Sequence, residues 1–321
     1  MTVAPCSLIF MFPGQSSRHP DMIEKVTREW PQGAAIVAHA SDLLQRDIAA
    51  HFRSDNPNVF AHNRDVQIGV FITNHIHMKR LEQAGVVGQW SLGLSLGEYN
   101  HLVHAGALTF EAALLLVDER GRLFDKGPPG VMVSLFPIEA DNVERKIAEL
   151  NAGGRVVISL YNAPRQQVVS GDRDAVAQLV AALEEETLIE VIEIEPKIPM
   201  HSPAFAPVAK KFHEVLARTQ IATPRLPYLA NVTGALAVNP SPDQIRVKLA
   251  MHICEPVRWR DSIDALAAHL PDAHFLEVGP RAVLYNMFGR GWNPGRRSKA
   301  DNGHKWREHI KGLTAELRHE S

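Results

Sequence analysis

Ser95 lies between two glycines in Gly93-Leu94-Ser95-Leu96-Gly97, after an apolar run (Val86, Val87, Trp90, Leu92) and before a helix-like segment. Strand, then G-x-S-x-G, then helix is the order that a nucleophile elbow requires. The glycines carry no Cβ, so the chain can turn sharply there and hold Ser95 strained and exposed. The pentapeptide alone also fits an ordinary glycine-bounded turn, so its partners decide. A serine hydroxyl is a weak nucleophile at neutral pH and needs a base within reach. Among 16 histidines, most of which fill surface or structural roles, His201 stands apart. It sits between Pro199 and Ser202-Pro203, a segment too rich in proline to be helical. In an elbow, the N–H after the nucleophile, here that of Leu96, is the expected oxyanion donor. His75 and His77 form an H-x-H pair, but positions two apart on a helix do not share a face. No metal is expected.

The elements around these residues follow from apolar spacing and from glycine and proline punctuation. Ser7 to Phe12 is a short apolar run ended by Pro13-Gly14, consistent with a buried parallel strand. Gln15-Ser16-Ser17 then forms a polar loop at that strand's C-terminal end, where open α/β sheets bind ligands. Val70, Phe71, Asn74, Met78 and Leu81 recur at helical spacing, with Gly85 suited to the helix end. Tyr99 to Ala105 and Phe110 to Asp125 read as helices, the second capped by Thr109. After Gly127-Pro128-Pro129-Gly130 the pattern becomes strand (131–136), helix (140–150), strand (156–160), strand (167–170), helix (174–184) and strand (189–194). That β-α-β-β-α-β order is the ferredoxin-like arrangement. The expected fold is α/β: a large α/β-hydrolase-like domain (1–128 and 197–321) with an inserted small ferredoxin-like subdomain (129–196). In the large domain, 206–218 and 244–253 read as helices, 228–231 as strand-like, and a strand ends at Glu277. The last segment, 291–321, is polar with an amphipathic end carrying Trp306, Ile310, Leu313 and Leu317.

Composition narrows the function. The chain of 321 residues is 45% hydrophobic and 22% charged, with a net charge of -2, which is ordinary for a globular protein and gives no polycationic signature for nucleic acid. No apolar run reaches the ~18 residues of a membrane span. Met1 to Phe12 lacks a basic lead-in and reads as a first strand rather than a signal peptide. Cys6 and Cys254 have no metal-type spacing and are expected as free thiols in a reducing cytoplasm.

Seven stretches in order, the elbow among them, carry a resemblance. They are Phe12-Pro13-Gly14-Gln15, Gly93 to Leu108, Arg120-Gly121-Arg122, Asn162-Ala163-Pro164 with Val168-Val169-Ser170-Gly171, Pro199 to Pro203, Asn231-Val232-Thr233 with Pro256 to Trp259, and Glu277 to Pro280. From about Ser7 to Met287 the chain resembles the malonyl-CoA:acyl carrier protein transacylases and the related acyltransferases of polyketide synthases. Tyr99-Asn100 is most similar to the free-standing acyltransferases that serve polyketide assembly lines in trans. Three positions depart from the family's pattern: Leu94 where it usually has His, Gly14-Gln15-Ser16-Ser17-Arg18 where it usually reads G-Q-G-S-Q, and His252 where it usually has Gln.

The resemblance implies roles. His201 is the general base, oriented by a main-chain carbonyl, that of His252; a third group need only fix the tautomer. Gln15 supplies the second oxyanion N–H, and Asn231 is a supporting residue. Arg120 holds the free carboxylate of a malonyl group through two parallel hydrogen bonds. Its bare pattern, beside Asp118, Glu119 and Arg122, fits a solvated helix residue equally well. Gln67 and Asn162 are secondary polar contacts or turn residues, and Met200 lines the pocket for the α-substituent. The implied reaction takes a malonyl-type unit from the coenzyme A thioester to the phosphopantetheine thiol of an acyl carrier protein, by a ping-pong route through Ser95. No permanently bound cofactor, no nucleic acid, no membrane, a monomer and a cytoplasmic location are expected. Leu94 and the altered loop keep open a second reading, a hydrolase that clears acyl groups from carrier proteins. Arg290 with Arg296, Arg297 and Lys299 reads either as a patch for an acidic carrier protein or as a solvated charge run.

Overall fold

The computed structural model describes residues 7–289 and 291–319, so Cys6 and Arg290 lie outside the described residues, as does the side chain of Leu317. β1 (Leu8–Phe12) carries five apolar side chains in a row, all fully buried. Strands covered on both faces read this way. Ile9 and Met11 join the main core, whereas Leu8, Phe10 and Phe12 join a second core with Met78, Leu81, Ile310 and Leu313. Burying each such side chain is worth about 2 kcal/mol, which anchors the strand whose end leads into the polar loop.

Three helices follow: α1 (Met22–Glu29), α2 (Gly33–Leu44) and α3 (Ile48–His51). Apolar spacing does not announce α2, which is alanine-rich and buries little beyond Val37, Ala40 and Leu44. α4 (Asn63–Gln83) is buried along nearly its whole length, and Gly85 follows its C-cap at φ +78°. β2 (Trp90–Gly93) then leads through Ser95 into α5 (Gly97–His104). α6 (Phe110–Phe124) starts as the sequence indicates: Thr109 accepts a hydrogen bond from the Ala112 N–H at 3.1 Å.

The next unit is β3 (Val131–Phe136), α7 (Ala140–Glu149), β4 (Val156–Ala163), β5 (Gln166–Gly171), α8 (Arg173–Glu186) and β6 (Glu190–Glu195). Its strands form an antiparallel sheet in the order β4-β5-β3-β6. Alternation splits its faces, and a register shift between Ile158 and Leu160 turns those two to opposite sides. Val131, Val133, Leu135, Ile158 and Val169 pack with Val143, Val176 and Leu179 of α7 and α8 in a core of their own. Met132, Leu160 and Val168 face the main core instead.

The chain returns through α9 (Ala206–Ala217), the short hairpin β7 (Tyr228–Leu229) and β8 (Leu236–Ala237), α10 (Pro242–Met251) and α11 (Trp259–His269). It ends with β9 (His274–Glu277), α12 (Val283–Met287), β10 (Arg296–Lys299) and α13 (Trp306–His319). The second four-stranded sheet is parallel, in the order β10-β9-β1-β2. β10 is unexpected, because Arg-Arg-Ser-Lys has no apolar alternation. Edge strands rich in cations are a common way to block further pairing. Of the basic residues in this stretch, Arg297 is held internally. The Arg297 guanidinium donates to the carbonyls of Tyr285, at 2.9 Å, and Phe288, and it lies over the Tyr285 ring. Among the described residues, no helix is long and apolar enough to cross a membrane.

Candidate active site

The elbow is built by close approach. A Cβ on Gly93 would come within 2.0 Å of the Gly97 backbone, and one on Gly97 within 2.0 Å of the Phe12 carbonyl oxygen. The glycines therefore let β1, β2 and α5 touch, while the unusual dihedral falls on the serine itself, at φ +50°. A non-glycine residue there stores strain. Ser95 is buried at the floor of a cavity, not exposed as the turn geometry suggests, because β3, β4 and the 194–201 segment close over it.

His201 reaches the serine from the proline-rich segment, itself at φ +56°. The Ser95 hydroxyl donates to His201 Nε2 at 2.8 Å, and His201 Nδ1–H donates to the His252 carbonyl at 2.6 Å. The carbonyl can only accept, so it fixes the tautomer that leaves Nε2 free to take a proton. Burial, the neighbouring His252 and the Arg120 cation hold the His201 imidazole well below its ordinary pKa, so it is neutral at neutral pH.

Asn231 braces the elbow. Its Oδ1 accepts from the Ser95 N–H at 2.7 Å, and its Nδ2 donates to the Gly93 carbonyl at 2.7 Å. Leu96 is the N-cap of α5, so its N–H lies outside the intrahelical ladder. Gln15 opens a single 3-10 turn, Gln15–Ser17, and lines the cavity with Ser95. A Cβ on Gly14 would come within 2.8 Å of the Leu94 carbonyl, so this loop packs directly on the elbow. Arg18 donates to the Gln15 carbonyl at 3.2 Å.

Arg120 is not a solvated helix residue. It is almost wholly buried, and so is Asp118, which the sequence pattern places outside. Gly121 is the reason: a Cβ there would come within 2.4 Å of the Arg64 Cα, so only glycine lets α4 and α6 cross closely enough. The Arg120 guanidinium donates to Gln67 Oε1 at 2.5 Å and to Ser95 Oγ at 3.4 Å, over the Phe124 ring at 4.3 Å. Its Nε–H has no partner, and no carboxylate pairs with it among the described residues. Gln67 is buried in α4 rather than at a turn and donates to Asn63, whose Nδ2 donates to Gln15 Oε1 at 3.4 Å. A polar chain thus runs from the arginine to the loop beside the serine.

The cavity holds about 50 Å³. Leu94, Met132, Leu160, Ile194 and Met200 supply its apolar wall, and Arg18 and Glu195 stand at its rim. Met200 lies where the sequence places it. Asn162 is buried on β4 with its Oδ1 unpartnered, and Leu160, two residues earlier, lines the cavity. His75 packs against Phe110, and His77 interacts with Asp301; each is pushed down to about 3, mainly by burial.

Sequence reasoning missed Glu98 and Tyr228. Glu98 sits in the first turn of α5, fully buried, and accepts from the Tyr228 hydroxyl. A charged residue on the inner face of the helix after the elbow was the available signal.

A serine on a strained strand-to-helix turn, a neutral imidazole on its hydroxyl and amides at a helix start define an acyl-transfer centre. The chain belongs to the acyl transferase family: the acyl transferase domain matches residues 9–305. It is 27% identical over 284 residues to the malonyl CoA-acyl carrier protein transacylase of Bacillus subtilis, covering 87% of this chain and 89% of that one. It is 28% identical over 279 residues to the polyketide biosynthesis protein ThaF of Burkholderia thailandensis, covering 87% of this chain and 24% of ThaF. The crystal structure of FabD from Acinetobacter baumannii superposes with a TM-score of 0.89 at 26% identity, covering 97% of this chain and 99% of that one.

Proposed function

We propose that this acyltransferase moves a malonyl unit from coenzyme A to the phosphopantetheine thiol of an acyl carrier protein through a Ser95 acyl-enzyme. The observation that carries the substrate is Arg120, a buried guanidinium 3.4 Å from the nucleophile, with a neutral amide as partner and an unpartnered Nε–H. A buried cation without a counter-ion is costly. The free carboxylate of a malonyl thioester supplies that counter-ion, whereas a neutral acyl chain leaves it unpaired. A hydrolase for neutral chains would leave that cation unpaired as well.

In the first half-reaction His201 Nε2 takes the Ser95 proton as Oγ attacks the thioester carbonyl. The Leu96 and Gln15 N–H groups hold the oxyanion. Collapse breaks the C–S bond, and the departing coenzyme A sulfur takes the proton from His201. In the second, His201 takes the proton of the phosphopantetheine thiol as that sulfur attacks the acyl-serine, and the proton returns to Ser95 Oγ. No resident cofactor enters either step. We read the protein as a monomer and as cytoplasmic.

Malonyl is preferred over α-branched units because Met132, Leu160, Ile194 and Met200 leave little room beside Ser95. We also read residues 1–128 and 197–321 as one α/β-hydrolase-like domain and 129–196 as a ferredoxin-like subdomain. The parallel sheet with its elbow supports the first assignment, and the β-α-β-β-α-β order supports the second. Intact-mass measurement after mixing with malonyl-CoA tests the function. One added malonyl group, discharged by a holo carrier protein and missing in Ser95→Ala, is the expected result. A labelled Ser95→Ala protein, or a malonyl group lost only to water, would defeat the proposal.

A further inference from the structure

Behind the Ser95–His201 pair lies a second buried pair that the transfer chemistry does not use. Glu98 Oε2 and His252 Nδ1 are 2.9 Å apart, and both residues are essentially without solvent exposure. The approach is short but off the line of an ideal hydrogen bond, and neither atom has another partner among the described residues. The His252 ring stacks on the His201 ring, with centroids 4.8 Å apart and planes at 23°. Its carbonyl is also the acceptor that orients His201. Glu98 has a further link: its Oε1 accepts from the Tyr228 hydroxyl and, at 3.4 Å, from the Asn231 N–H. One carboxyl group therefore touches the residue that orients the base and the residue that braces the nucleophile.

We propose that Glu98 and His252 share one proton and act as a positioning pair that sets the basicity of His201. The inference rests on His201 being the base. Burial pushes the Glu98 carboxyl up to about 8, with the Tyr228 and Asn231 bonds and the Arg120 charge opposing. Burial, with Arg120, holds His252 well below its usual value. At neutral pH the carboxylic acid O–H donates to His252 Nδ1 and both residues are uncharged. When Glu98 loses its proton, His252 shifts from its Nε2–H to its Nδ1–H tautomer, which donates to the carboxylate, and a negative charge stands behind the His201 ring. That charge stabilises the imidazolium formed when Ser95 gives up its proton, so acylation speeds up as pH rises through the Glu98 ionisation. The charged and titratable groups facing Glu98 are Tyr228 from β7, Arg120 from α6, His252 at the end of α10 and Tyr99 on α5 itself. Burial drives Tyr99 and Tyr228 upward, so neither ionises in that range.

Single-turnover acylation by malonyl-CoA, measured between about pH 6 and 9, tests the pair without a free-thiol acceptor. The unaltered protein should accelerate about three- to tenfold around pH 8, the size of a screened charge acting across two rings. Glu98→Gln should lack that step, and His252→Gln should move its midpoint. A Glu98→Gln profile that keeps the step overturns the proposal. Should Glu98→Gln fail to fold, the carboxyl carbon resonance of Glu98 in the unaltered chain decides. A shift centred near pH 8 supports the pair, and a carboxyl already ionised at about pH 6 overturns it. Absence of any acylation would count instead against the proposed function, while the carboxyl titration would still judge the pair.

Discussion

The two sheets meet at Ser95 with opposite characters. The parallel sheet and its helices bring the groups on which the transfer depends, Ser95, Arg120, Gln67, Glu98 and the loop amides, with His201, Asn231 and His252 from the returning chain; of the charged cavity residues only Glu195 comes from the antiparallel sheet. The antiparallel sheet brings Met132, Leu160 and Ile194, which carry no polar side-chain hydrogen. Chemistry and carboxylate selection therefore belong to one unit and the size limit to the other. Substitutions on the two sides should fail in different ways.

The largest loss should come from Ser95→Ala, which removes the atom that is acylated and should abolish the labelled protein. His201→Ala should slow single-turnover acylation by ~10²-fold or more, the scale of general-base catalysis; near-normal acylation would remove His201 from that role. Arg120→Ala should lower the rate of malonyl transfer by about 10²-fold, as expected when a charge-assisted contact of ~3 kcal/mol is lost. Across the cleft, Met132→Ala or Leu160→Ala should leave malonyl acylation within about tenfold. Each should raise the use of a methyl-branched unit relative to malonyl, since one methyl group in an apolar pocket is worth ~10-fold or more. A loss on that side as large as that of His201→Ala would break the division between the sheets. The smallest effect concerns acid. His201 is held well below its ordinary pKa, so the base is protonated only as pH falls through that depressed value. Acylation should show no acid limb between about pH 7 and 6 beyond the lower tail of the step near pH 8; a limb centred near 6.5 would show the imidazole to be unshifted.

Legibility in the sequence followed the same division of forces. The elbow, the β1 run and the β-α-β-β-α-β unit were readable because short-range patterning creates them: glycine spacing, an unbroken apolar strand and period-two alternation. Arg120 was ambiguous from its helix neighbours because its burial depends on Gly121 meeting Arg64, a contact between α6 and α4 that local pattern does not encode. Leu160 was not foreseen at the cavity because β4 shifts register between Ile158 and Leu160, which the alternation of its residues does not encode. Glu98 was overlooked because its partners, Tyr228, Asn231 and His252, are each more than 100 positions away. β10 was invisible because its strand state comes from pairing with β9, not from its own residues.

Competition between two donors tests the central claim most directly. The protein is mixed with equal amounts of malonyl-CoA and acetyl-CoA, and the acyl group on Ser95 is read by intact mass, in wild type and in Arg120→Ala. The account predicts malonyl on the wild-type serine and a marked shift toward acetyl in the variant, because the cation that requires a carboxylate is gone. An unchanged malonyl-to-acetyl ratio would contradict it and leave Arg120 as part of the packing between α4 and α6.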